Sequence, residues 1–162
     1  MPLTRRARLA LTGVTCALAV GAGLTTYALT HVDADAGVHP AKASGAPQCR
    51  RITDTAPAAL GGLSRRDSSL AGVAVWGDRD ILLRCGVTPP RLTPDPCFAV
   101  NGVDWVIDQA QSTHTRKVIV SYGRTPATQV VFEGRGKTDA ALIDLSRLIA
   151  PIRQTDHCIP SQ

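Results

Sequence analysis

VWGDRDILLRCGV, residues 75–87, holds one of the chain's two tryptophans, an arginine inside an apolar run and a cysteine directly after that arginine. The apolar ends of this stretch, extended to AGVAVW on one side and ILLRCGV on the other, read as two strands, and GDRD between them reads as a hairpin turn. Side chains alternate across a strand, so Arg84 shares a face with Leu82. Either that face meets solvent, or it is half-buried and the guanidinium needs an acid. Asp78 and Asp104 are the nearest chemical candidates. A buried Arg–Asp pair fixes structure more often than it performs chemistry.

The flanking sequence extends the hairpin into a sheet. FAVNGVDWVIDQ places Asn101-Gly102 between apolar runs, the signal of a tight type I′ turn. KVIVSYG and TQVVFEG add two further strands. ITDTAPAALGG, with Asp54 or Thr55 as cap, Pro57 in the first turn and Gly61-Gly62 as stop, predicts a short helix. TDAALIDLSRLIAPI puts Ala141, Leu142, Leu145, Leu148 and Ile149 on one face and Asp139, Asp144 and Arg147 opposite, an amphipathic helix with Thr138 as cap. The expected fold is α+β: an antiparallel sheet of about five strands, with a short N-terminal helix and a C-terminal amphipathic helix packed on one face.

The first thirty residues are different in kind. Arg5, Arg6 and Arg8 precede an uncharged run of 22 residues, Leu9 to Thr30. Its length favours a membrane anchor over the apolar core of a cleaved signal, and small-residue sites at 34–36 and 41–43 keep cleavage open. In both cases the arginines stay inside and the domain lies outside, anchored or secreted. Cys16 reads as an ordinary membrane-helix cysteine. Residues 31–48, rich in Ala, Gly and Pro without periodicity, read as a flexible tether. The exported domain is then 49–160. The net charge of +5 falls to +2 beyond residue 30, and aromatic residues are 4% of the chain. Scattered basic residues with few aromatics exclude a nucleic-acid surface.

Four cysteines remain: Cys49, Cys85, Cys97 and Cys158. An even count behind an export signal reads as two disulfides, with three possible pairings. Proximity in sequence favours Cys85 with Cys97 across GVTPPRLTPDP, leaving Cys49 with Cys158 to join the domain's ends. The spacing does not suit a metal, since no CxxC occurs. GRGKT before a helix resembles a phosphate loop, but Val131 stands where that motif needs its first glycine. No G-x-S-x-G or S-x-x-K occurs, and His114 lies in a polar loop without a paired nucleophile. SYGRTPA reads either as a tight bend held by Arg124 or as a rim presenting Tyr122 and Arg124 to a partner.

Taken together, WGD before ILLRCGV, VNGVDW after a cysteine, YGR.PA and a final helix ending near a cysteine resemble the domain-of-unknown-function family 3515 of high-GC Gram-positive bacteria. The resemblance spans roughly residues 47–160, departs at Arg79 where proline is expected after WGD, and agrees with a composition of 15 Arg against 3 Lys. It implies a small exported or membrane-anchored protein and transfers no catalytic residue and no cofactor. The candidate ligand or partner residues are Arg84, Asp104, Trp105, Tyr122 and Arg124. The leading expectation is a membrane-tethered, non-enzymatic binding or assembly module, with residues 9–30 in the membrane and an envelope protein or wall component as partner. The alternative is a small envelope enzyme or ligand-binding domain, which requires Asp104, Arg84 and Tyr122 to converge in a cleft.

Overall fold

The structure is a computed structural model that describes residues 33–159. Helix α1 (Pro47–Asp54) leads into β1 (Ala59–Leu60), β2 (Leu63–Arg66), β3 (Val73–Trp76), β4 (Ile81–Val87), β5 (Cys97–Val100), β6 (Val103–Ile107), β7 (Arg116–Ser121) and β8 (Ala127–Glu133), and helix α2 (Thr138–Ile149) follows. The eight strands form one antiparallel sheet in the order β1-β2-β3-β4-β8-β7-β6-β5. The α+β class holds, with eight strands rather than about five. The segments read as strands become six, β3 to β8, and Gly61-Gly62 adds the other two, β1 and β2. Read as a helix stop, this glycine pair has φ of +58° and +86° and closes a two-residue hairpin between Leu60 and Leu63. The short helix accordingly lies earlier than expected. Pro47 sits in its first turn, Cys49 and Ile52 are its buried face, and it ends where Thr53 and Thr55 hydroxyls bond back to the Cys49 and Arg51 carbonyls.

One face of the sheet buries Trp76, Leu83, Trp105, Ile119, Val130 and Phe132 against the two helices. Each tryptophan finds a partner for its indole N–H, Trp76 on the Pro57 carbonyl at 2.9 Å and Trp105 on Ser146 Oγ at 3.0 Å. Helix α2 buries Ala141, Leu142, Leu145 and Ile149 as its periodicity predicts. Lys137, not Thr138, is its N-cap, and no side chain caps it.

The stretch expected as a tether packs on the domain from Ala34 onward. Ala34 lies with Val73 and Val75 on the second face of the sheet, and the Ala43 N–H donates to the Gly86 carbonyl at 3.1 Å. Gly86 has φ of +94°, and a Cβ there would lie 2.3 Å from the Ala43 carbonyl carbon. Small residues read as linker in sequence; here they allow backbone to approach backbone. The uncharged run 9–30, with Cys16, lies outside the described residues. Among the described residues no helix is long and apolar enough to cross a membrane.

Both disulfides form, in a different pairing from the one expected. Cys49 bonds Cys85, and Cys97 bonds Cys158. Cys85 and Cys97 cannot meet. Strands β8, β7 and β6 lie between β4 and β5, a separation of about 19 Å at the usual strand spacing. That is far beyond the ~4.4–6.8 Å that a disulfide spans between Cα atoms. Cys85 also points to the helical face, toward α1, while Cys97 shares the opposite face with its cross-strand partner Val106. The proline-rich segment 88–96 is therefore no hairpin loop. It crosses three strands from β4 to the far edge of the sheet.

The β3–β4 turn is built around Asp80. Its Oδ2 accepts the Asp78 N–H at 3.0 Å and its Oδ1 accepts the Arg135 N–H at 2.9 Å. Gly77 and Gly134 leave the space, since a Cβ on either would lie 2.2–2.3 Å from a carboxylate oxygen. This accounts for the first glycine of GRGKT: it makes room for Asp80. The Arg135 N–H holds the Asp80 carboxyl below its ordinary value of 3.8, burial opposes, and the Asp78 N–H and the Arg135 charge add to the lowering. Stabilisation by the ionised form is therefore present above pH 3.8 and is lost as pH falls through the lower folded value. Asp80→Asn keeps the shape but turns one acceptor into a donor facing an N–H. It is expected to cost ~1–3 kcal/mol at pH 7, read as a shift in urea midpoint. The gap between parent and variant should shrink below pH 3.8, and an equal gap at pH 7 and pH 3 would remove Asp80 from this role.

Candidate functional site

The second face of the sheet carries one cross-strand row whose members are Arg84, Gln129, Val120 and Val106, each opposite the next. The crossing segment 88–96 passes beside this row and leaves a cleft on either side of Leu92. The first cleft, about 480 Å³, has the four row residues as its floor and is bordered by Arg91, Asp95 and Asp108. The second, about 380 Å³, lies between Pro94, Tyr122, His157 and Ile159. Leu92 borders both and is 84% exposed; Ile159 is 78% exposed.

Arg84 is half-buried, as its alternation with Leu82 allows. Its partner is neither Asp78 nor Asp104. Nη1 donates to Gln129 Oε1 at 3.3 Å, and Nε is buried without a hydrogen-bond partner. Asp78 instead pairs with Arg66 at 3.1 Å. Asp104 is buried, and its Oδ2 accepts the Gln154 side-chain amide at 2.8 Å and the Cys158 N–H at 2.9 Å, with His157 Nδ1 at 3.4 Å. Through Oδ2 this carboxylate fastens the C-terminal segment to β6. Trp105 is fully buried in the helical core. Tyr122 lines the second cleft, away from Arg84.

Arg124 is 4% exposed and is presented to no partner. Nη1 donates to the Ala150 carbonyl at 3.0 Å and to the Ile152 carbonyl; Nη2 donates to the Gly102 carbonyl at 3.0 Å and to Gln154 Oε1 at 2.7 Å. Desolvation lowers its pKa and the nearby Asp104 charge opposes that shift. Gly123, with φ of +65°, sits so close to the C-terminal strap, the segment 150–158 that follows α2, that a Cβ would fall 2.0 Å from the Asp156 carbonyl oxygen. The bend reading of SYGRTPA is the one this geometry bears.

Of the five candidate residues, the structure brings Asp104 and Arg124 into one network through Gln154, buries Trp105 elsewhere, and places Arg84 and Tyr122 in separate clefts. Gln129, Val106 and Val120 were missed. Their signal was alternation: all three fall on the face that Arg84 occupies, but only strand order reveals which lie beside it. Among the described residues no group of three His, Cys, Asp or Glu is placed to hold a metal ion.

A family described as protein of unknown function (DUF3515) matches residues 8–157. The chain belongs to the DUF3515 family. No curated protein matches it, and no solved structure does. The stretches that carry the likeness to DUF3515 have plain structural tasks in this chain. WGD supplies the Trp76 anchor and the glycine that Asp80 needs. CGV supplies the Cys85 bond to α1 and the Gly86 contact with Ala43. VNGVDW supplies the tight turn, with Asn101 at φ +48° and Gly102 at +72°, then the Asp104 fastening and the Trp105 core contact. YGR supplies the Arg124 hub. Arg79, which departs from the expected proline, has φ of +69°. Proline is locked near −65° and cannot adopt that turn.

Proposed function

We propose that this DUF3515 protein is a non-enzymatic binding or assembly module, held at the outer face of the cell membrane by residues 9–30. The observation that carries this reading is the dispersal of the candidate catalytic groups. Asp104 Oδ2 is engaged by the C-terminal segment, while Arg84 and Tyr122 line different clefts. Acid–base or nucleophilic chemistry needs such groups within reach of one reacting atom. The arginine-led uncharged run and the two disulfides support export to an oxidising compartment. The exposed Leu92 ridge between two clefts supplies a contact surface of the kind partners use.

The test is site-specific photo-crosslinking in intact cells. A photoreactive residue at position 92 should capture an envelope protein or wall fragment, and one at Asp144 on the exposed side of α2 should not. Fractionation should place the chain with the membrane at a mass that retains residues 9–30. Absence of any adduct at position 92, together with no binding to wall fragments, sinks the module reading. A soluble form beginning near Gly37 or Ser44 sinks the anchor.

A further inference from the structure

We infer that the cleft floored by Arg84 and Gln129 is a receptor for a single carboxylate group carried by a small apolar substituent. The inference rests on the binding-module reading and names the chemistry of its site. Buried and half-buried arginines elsewhere in this domain hold several protein acceptors, although Arg124 Nε, like Arg84 Nε, has none. Arg65 donates to the Ala56 and Thr53 carbonyls at 3.1 and 2.7 Å, and Arg124 donates to four acceptors. Arg84 is different. Among the described residues no carboxylate lies within ion-pair distance of it, its single hydrogen bond is the one to Gln129, and its Nε is shielded from water with no acceptor. Nε is the shielded nitrogen, whereas the Nη groups of this half-buried side chain, which lines the open cleft, keep N–H donors beyond the one given to Gln129 and can take an anion side by side.

Gln129 completes the site. It is 6% exposed. Arg84 can only donate, so the amide oxygen of Gln129 must face it and the NH₂ is left as a donor. Among the described residues that NH₂ makes no hydrogen bond, and Gln129 borders the cleft. Guanidinium and amide NH₂ are thus neighbouring donors from adjacent strands, held in register by the β4–β8 pairing.

The rest of the lining selects the anion. Val120 and Val106 continue the floor beyond Gln129 and offer an apolar contact, which suits a carbon chain attached to the anionic group. Asp95 and Asp108 line the cleft together with Arg91. Their charges oppose a dianion such as phosphate, whereas a monoanion loses less to them and an attached ammonium or amide N–H gains. The acid can be a free short carboxylic acid or the C-terminus of a peptide, and these present the same group to Arg84.

The experiment is an NMR titration of the full chain in detergent micelles, following the Arg84 Nε–H and Gln129 NH₂ signals. The probes are isobutyrate, N-acetyl-Gly-Ala with a free C-terminus, the same peptide amidated, and inorganic phosphate. The free-acid peptide should shift both side-chain signals saturably, and the amide should bind at least tenfold more weakly. Tighter binding of the peptide acid than of isobutyrate assigns a chain end; equal binding assigns a free acid. Arg84→Gln should weaken either at least tenfold while its backbone spectrum stays folded. Arg84→Lys, which keeps the charge and loses the fork, should fall between. Equal binding of acid and amide, tighter binding of phosphate, unaltered binding by folded Arg84→Gln, or no saturable shift of either signal overturns the site. Such a failure alongside retained crosslinking at position 92 leaves the module reading standing.

Discussion

Digestion without reductant is expected to release Cys49 joined to Cys85 and Cys97 joined to Cys158, and reduction is expected to unfold the domain. The two bonds close loops of 36 and 61 residues by sequence separation. Each is worth ~4 kcal/mol in the chain-entropy account. The loops follow one another along the chain and do not overlap, so their restrictions of the unfolded state are independent and should add. Losing both removes ~8 kcal/mol, against a usual total stability of ~5–15 kcal/mol for a domain. One bond ties α1 to β4 in the first half of the sheet; the other ties β5 to the C-terminal segment in the second. Urea unfolding should show a clear loss in Cys49→Ser/Cys85→Ser and a collapse of the transition when all four cysteines are serine. A midpoint unchanged by the first double substitution, or a peptide joining Cys85 to Cys97, would overturn this account.

The disulfides also mark where local reading stops. Strand and helix positions depend on signals within a few residues, and those were legible. Asn101-Gly102 takes the positive φ values its turn needs, VAVW and ILLRCGV pair as a hairpin, and Ala141, Leu142, Leu145 and Ile149 form a buried stripe. Strand order is not local. β4 takes as its second neighbour β8, whose Gln129 lies 45 residues beyond Arg84. That single fact moves Cys97 away from Cys85, turns GVTPPRLTPDP from a hairpin loop into a crossing, and replaces the acid expected beside Arg84 with an amide. The tether was misread for a second reason. Alanine and glycine carry no periodic signal, yet at Ala43 and Gly86 smallness is what lets two backbones touch.

Replacing Arg124 is expected to destabilise the domain by ~3–5 kcal/mol, as when one member of a buried polar network is removed. The guanidinium joins three pieces of chain that no strand pairing unites: the end of α2 through the Ala150 and Ile152 carbonyls, the β5–β6 turn through the Gly102 carbonyl, and the C-terminal strap through Gln154. Arg124→Met fills similar space but strips these acceptors of their donors, and it leaves Asp104 without the positive charge nearby. Arg124→Lys keeps the charge with three donors in place of five and no planar fork, so it should recover only part of the loss. The order parent, Lys, Met in urea midpoint is the expected result. The effect should also be local before it is global. Amides of residues 150–157 should lose hydrogen-exchange protection first, because Arg124, Gln154 and Asp104 fasten this segment in series ahead of the Cys97–Cys158 bond, whereas β3 and β4 should open only with the whole domain. Equal midpoints for the three proteins would show that the bend holds without its arginine. Uniform loss of protection across the sheet would show that the strap and the core unfold as one unit.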